Sequence, residues 1–204
     1  MIRKVLQVLL GLNILGIGIG IMVKVGLGTD AVNVAYTGFA STYGLTIGQI
    51  TTIGNVLLLV MSFIVDKSKI GLGTVMCVLL MQYSIDFTHD MMFVPDTLIF
   101  QLLWFMISQF IIGIGAAIIY EARAGLSIYD AFVFGLSDYF HTSYVYVRYV
   151  VDGIFLILGF IYNGSFGIGT IIAFFVLGII IDKSIKFVKQ LKVFSLWNTR
   201  KCGI

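Results

Sequence analysis

The sequence predicts an all-α membrane protein of about six transmembrane helices, arranged as two inverted three-helix repeats that each carry a short re-entrant or interfacial helix. Three observations predict it. First, the 204-residue chain is 59% hydrophobic and 11% charged, with a mean hydropathy of +1.05, whereas a soluble domain carries about 25% charged side chains. Second, its apolar runs approach the ~20 residues that span a bilayer core at ~1.5 Å per residue. They run continuously instead of alternating, which excludes a transmembrane β-barrel. Third, the two halves repeat.

The apolar pattern places long helices at about 5–25, 46–65, 71–87, 98–121, 144–162 and 167–187. The first run is long for a signal peptide and no small-residue cleavage site follows it, so it reads as a retained helix. Residues 27–44 and 126–143 are too polar for a lipid-facing span, with Asp30, Asn33, Ser41 and Thr42 in one and Asp130, Asp138 and His141 in the other. Pro95 lies in the acidic loop between the halves and interrupts no helix.

A shift of 99 positions aligns Gly16 with Gly115, Lys24 with Arg123, Gly26-Leu27 with Gly125-Leu126 and Gly54 with Gly153. After a three-residue deletion the shift is 96, which pairs Gly71-x-Gly73-Thr74 with Gly167-x-Gly169-Thr170 and Ile85-Asp86 with Ile181-Asp182. Glycine matches come cheaply, but an ordered series with Lys/Arg and GxGT in it does not. The chain therefore divides into a first repeat (1–87), an extracytoplasmic loop (88–97), a second repeat (98–185) and a basic amphipathic tail (186–204).

Positive residues mark cytoplasmic loops. Arg3 and Lys4 precede the first helix, Lys67 and Lys69 follow the second, Arg123 follows the fourth, and Lys183, Lys186, Lys189, Lys192, Arg200 and Lys201 follow the sixth. The central loop has Asp90 and Asp96 and no Lys or Arg. Six crossings put every basic loop inside; eight would put Lys67 and Lys69 outside. Three spans per half then force the halves into opposite orientations.

Lys24 with Gly26-Leu27-Gly28, then Gly44-Leu45-Thr46-Ile47-Gly48, Gly71-x-Gly73-Thr74 and Ile85-Asp86 form an ordered set that resembles the YczE/YyaS/YitT family of bacterial membrane proteins, in a short form without a soluble C-terminal domain. The resemblance covers roughly residues 5–185. It implies a multi-pass protein of the bacterial cytoplasmic membrane. The family's Asp, five residues after the first glycine of GLG, is matched by Asp130 counted from Gly125; the first half has Ala31 there and Asp30 one place early.

Arg148 and Asp152 are the sharpest candidates for function. They stand i,i+4 on one helix face, and Asp152 falls about 12 Å into the membrane. A charge at that depth needs a partner, water or a ligand, so the pair is either a structural ion pair or part of a site. Counted at a shift of 99, their first-half equivalents are Gln49 and Ile53. Ser127 and Asp130 form a capping-box-like start, and Thr29 or Gly28 starts the other short helix with Asp30 in its first turn. Substrate-binding candidates are thus Asp30, Asn33, Gln49, Asp130, Arg148 and Asp152. Lys24 and Arg123, at the ends of the first and fourth helices, are anchors or mouths of a pathway. Asp86 and Asp182 end the third and sixth helices and need a partner, for Asp182 Lys183 or Lys186. Gly16, Gly18, Gly20, Gly113 and Gly115 suit close helix packing, and Tyr144, Tyr146 and Tyr149 suit the interfacial belt.

The tail sets Lys183, Lys186, Lys189 and Lys192 beside Phe187, Val188, Leu191 and Phe194, a pattern for lying on anionic lipid. Nothing reads as enzyme chemistry: there is no HExxH, no metal-type Cys/His spacing and no phosphate loop. No cofactor and no nucleic-acid partner are expected, since a net charge of +3 is small; a homodimer is left open. Two functions fit this pattern. One is a small permease moving a polar or anionic solute through a site between the repeats. The other is a non-transporting partner, such as the substrate-binding subunit of a larger importer or an assembly subunit.

Overall fold

The computed structural model describes residues 2–45, 47–94 and 97–190, without the side chains of Ile2, Ile47, Gln49, Thr52, Gln82 and Asp86. Eight helices follow in order: α1 (Ile2–Val25), α2 (Ala31–Tyr43), α3 (Ile47–Asp66), α4 (Leu72–Met91), α5 (Leu98–Ala122), α6 (Ile128–Tyr139), α7 (Tyr144–Ile161) and α8 (Ile168–Gln190), with a 3-10 turn at Lys67–Lys69. Among the described residues α1, α5, α7 and α8 are long and apolar enough to cross a bilayer. The protein is an all-α membrane protein.

Helix directions follow from the contacts. Gln7 Nε2 donates to Ile118 O at 3.2 Å, Gly11 abuts Ile119, Gly18 abuts Ile112, and Gln109 Nε2 donates to Met22 Sδ at 3.5 Å. So α1 and α5, the first helices of the two halves, run antiparallel. Gly16 packs on Ser84 and Gly20 on Thr88, and Ser84 Oγ donates to Asn13 Oδ1 at 2.8 Å, so α4 is parallel to α1. Phe105 packs on Gly169 and Gly113 on Ile180, so α8 is parallel to α5. A full crossing by α2 or α6 would reverse these senses. The halves are inverted: α1 and α4 run opposite to α5 and α8.

The repeat register differs from the sequence alignment. Left-handed residues recur as Gly26 (φ 70) and Arg123 (φ 48), Gly28 (φ 109) and Gly125 (φ 111), Gly44 (φ 65) and His141 (φ 51). Each pair is separated by 97 positions, not 99. Contacts obey the same shift: Gly18 meets Ile112 as Gly115 meets Leu15, and Gly38 meets Tyr162 as Gly135 meets Val65. Only one residue is lost before Gly71 and Gly167. Lys24 and Arg123 are therefore not equivalents.

The GxGT motifs seat the loops before the short helices. Gly71 N donates to Thr74 Oγ1 and Gly167 N to Thr170 Oγ1, which satisfies an orphan donor at the start of α4 and of α8. Gly73 N then donates to Ala124 O at 2.7 Å and Gly169 N to Leu27 O at 2.8 Å. Each short helix packs on the C-terminal end of a long helix of the other half, α6 on α3 and α2 on α7. For α6, Leu126 N donates to Lys69 O, and Lys69 Nζ pairs with Asp138 at 2.5 Å. Burial works against the Lys69 charge, yet Asp138 holds its pKa above the ordinary lysine value. For α2, Ser165 N donates to Thr37 Oγ1 at 3.0 Å.

Two helix ends differ from expectation. Because α4 runs to Met91 and α8 to Gln190, Asp86 and Asp182 are not terminal; Lys186 Nζ holds Asp182 at 2.6 Å one turn on. The expected surface helix continues α8 as far as Gln190, and the rest of the tail, Lys192 included, lies outside the described residues.

Candidate functional site

At the start of α6, Ser127 is the N-cap: its Oγ accepts from Asp130 N and donates to Asp130 Oδ2 at 2.8 Å. This fixes the Asp130 carboxylate in the first turn, where the helix dipole favours a negative charge. On α7, Ser143 caps and Arg148 and Asp152 stack one turn apart. Both are buried, each 5% exposed.

The arginine joins the two helices. Its Nη1 donates to Asp130 Oδ1 at 3.3 Å and to Tyr144 OH at 2.5 Å, while Tyr144 OH donates to Asp130 Oδ1 at 3.0 Å. Its Nε lies 3.3 Å from Asp152 Oδ2 yet forms no hydrogen bond among the described residues, so the pairing there is of charge only. Tyr129 OH donates to Asp152 Oδ1. The guanidinium carbon sits 5.1 Å from the Tyr129 ring centre and 5.8 Å from that of Tyr144, which adds cation–π attraction. On α8, Gly178 leaves room for the arginine stem, since a Cβ there would lie 3.0 Å from Arg148 Cδ.

The first half approaches this cluster from the other side. Asp30 is the N-cap residue of α2 and is near enough for its charge to act on Asp152 and on Tyr36. Tyr36, 4% exposed, packs edge-on against Phe155 at 6.5 Å, and its hydroxyl has no hydrogen-bond partner among the described residues. Phe155 in turn packs against Tyr129 at 6.4 Å. One buried cation thus answers two carboxylates directly, with a third nearby. An apolar cavity of about 710 Å³ lies alongside, lined by Leu58 and Met61 of α3, Phe132 and Leu136 of α6, and Val147 and Val151 of α7.

Of the sequence candidates, Asp130, Arg148 and Asp152 meet in one cluster and Asp30 flanks it. Asn33 Nδ2 donates to Asp30 Oδ1 at 2.6 Å, which places it beside the cap and not in the cluster. Asp30 precedes α2 instead of lying in its first turn, so neither Thr29 nor Gly28 is the start. The Gln49 side chain lies outside the described residues. Lys24 is in the last turn of α1 and Arg123 caps α5; neither joins the cluster, and Arg123 lines a cleft of about 320 Å³ with Lys4. At a shift of 97 the equivalents of Asp130, Arg148 and Asp152 are Asn33, Thr51 and Asn55, not Gln49 and Ile53; Ile53 is 51% exposed and faces outward. The first half keeps polar but uncharged residues where the second half is charged.

Sequence reasoning missed Tyr129 and Tyr144. Tyr144 is buried, not interfacial, and Tyr149 OH donates to Phe175 O at 2.8 Å; Tyr146 alone of the three is mostly exposed. The signal available was spacing: Tyr144 stands four residues before Arg148 on the same helix face.

The model of a family of unknown function, DUF6198, matches residues 2–186. The chain belongs to this family. It is similar to the uncharacterized protein YyaS of Bacillus subtilis, 27% identical over 166 residues that cover 80% of this chain and 83% of that one. An uncharacterized protein of Haemophilus influenzae is 29% identical over 171 residues, 83% of this chain and 78% of its own. No solved structure matches. Both relatives align over most of their length, as a chain sharing the whole two-repeat fold would.

Proposed function

We propose that the chain is a small permease of the bacterial cytoplasmic membrane, crossing six times with both termini inside, and that it carries a small solute through the Asp130–Arg148–Asp152 cluster. The observation that carries this reading is a nearly fully buried set of charges placed where the second half's short helix meets α7 and the first half's Asp30 and Tyr36 approach. Intramembrane ionisable groups are costly and mark solute or ion routes. Inverted repeats with short helices at opposite ends supply the two near-equivalent arrangements that alternating access requires.

The charge tally narrows the solute. Arg148 is already answered by Asp130 and Asp152, so an incoming anion must displace a carboxylate, whereas a cationic or neutral polar solute need not. In proteoliposomes screened with small solutes grouped by charge, the expected result is saturable uptake of a cationic or neutral class. Asp130→Asn should lower it about tenfold or more, the effect of losing ~1.4 kcal/mol of binding. Monodisperse, folded protein with no saturable flux in any class would overturn the reading.

A further inference from the structure

We infer that Asp152 is a proton-binding site, alternating between a carboxylate held by Arg148 and Tyr129 and a neutral acid, while Arg148 and Asp130 remain a charged pair. The inference rests on the permease reading only for the use made of the proton.

With every group ionised, Arg148, Asp130 and Asp152 together carry one excess negative charge, and Asp30 adds another nearby. Uncompensated charge inside a membrane is expensive. The guanidinium does not release its proton, and ionising Tyr129 or Tyr144 would only add negative charge. The adjustable proton therefore belongs to a carboxyl group.

The two carboxyl groups are not equivalent. Asp130 receives hydrogen bonds from Ser127 Oγ, Tyr144 OH and Arg148 Nη1, and stands at the positive end of α6. Three donors and a helix start thus face the Asp130 carboxylate. Asp152 lies eight residues into α7, away from any helix start, with one hydroxyl donor in Tyr129 and an arginine Nε out of line for a bond. Protonation of Asp152 takes the three-residue cluster from an excess of one negative charge to neutrality.

Two buried polar groups in and beside the cluster are left without partners. Arg148 Nε and Tyr36 OH both lack a hydrogen-bond partner among the described residues, although Arg148 and Tyr36 are more than nine-tenths buried. Buried polar atoms are rarely left so. The groups bearing on Asp152 and its partners are Asp30 at the cap of α2, which also faces Tyr36, Cys77 of α4, Tyr129 and Asp130 of α6, and Tyr144 and Arg148 of α7. Uptake transfers one proton from hydronium, whose O–H bond breaks as the O–H bond at Asp152 forms and water is released; Tyr129 keeps its hydroxyl proton.

Infrared difference spectra of the protein in nanodiscs, titrated with pH in sodium-free buffer, read this proton directly. The expected result is a protonated-carboxyl C=O band that disappears in a single step as pH rises, and that is absent in Asp152→Asn. Asp130→Asn should retain the band and lower its midpoint by about one unit or more, since a nearby like charge is removed. Tyr129→Phe should raise the midpoint, because the ionised form loses a donor. Asp152→Glu, which keeps a carboxyl, should restore a titrating band and show that the variants fold. An undiminished band in Asp152→Asn, a midpoint unmoved in both Asp130→Asn and Tyr129→Phe, or loss of the band on adding sodium at fixed pH would overturn the inference. A titrating Asp152 in protein without flux sinks the permease reading alone; flux without the titration sinks this one alone.

Discussion

Replacing Arg148 with methionine destabilises the folded protein by about 3–5 kcal/mol, the cost of removing one partner from a buried ion pair. Asp130 and Asp152 would then face each other with no cation between them. Asp152→Asn is expected to cost much less, because Tyr129 can still donate to the amide oxygen and Asp130 alone neutralises Arg148. The double variant Arg148→Met with Asp152→Leu should recover part of the loss, since apolar replacement of a buried pair is often neutral or stabilising. Thermal unfolding in detergent, followed by size-exclusion fluorescence, measures the order. A melting temperature lower for Asp152→Asn than for Arg148→Met would contradict the charge assignment.

The second large effect belongs to the crossing of α1 and α5. A Cβ at Gly115 would lie 2.5 Å from Leu15 N and 2.7 Å from its Cα, so any side chain there must push two backbones apart. In a bilayer no hydrophobic force returns them, and helix association depends on close van der Waals packing. Gly115→Leu should cost about 1–3 kcal/mol or more. Gly153→Leu makes the same chemical change where no atom lies within 4 Å of the added Cβ, and it should be nearly silent. Equal melting losses in the two variants would show that propensity, not the crossing, sets the effect.

Much of this was legible in the sequence. Apolar run length gave the long helices, the Lys/Arg argument gave halves of opposite sense, and Ser127 with Asp130 announced a cap that the structure contains. The register was not legible. Identity matching favours glycines wherever they fall, whereas the true equivalence rests on backbone conformation, and conformation puts Arg123 opposite Gly26 with no shared chemistry. The site was half legible for a related reason. Arg148 and Asp152 are linked by helical periodicity on one element, but Tyr129 reaches Asp152 from another helix across a distance that no sequence spacing encodes. Asp30 arrives from the other half, and only the fold brings it there.

Alternating access requires the two halves to face opposite sides of the membrane around one buried site. Cysteine accessibility tests this most directly. Ser41 on α2 and Ser143 at the start of α7 are both exposed, at opposite ends of the bundle. With Cys77 and Cys202 replaced by alanine, a cysteine at Ser41 should react with a membrane-impermeant thiol reagent added to intact cells. A cysteine at Ser143 should react only after the membrane is broken. Labelling of both from the same side would contradict the inverted arrangement, and alternating access around Asp152 would fall with it.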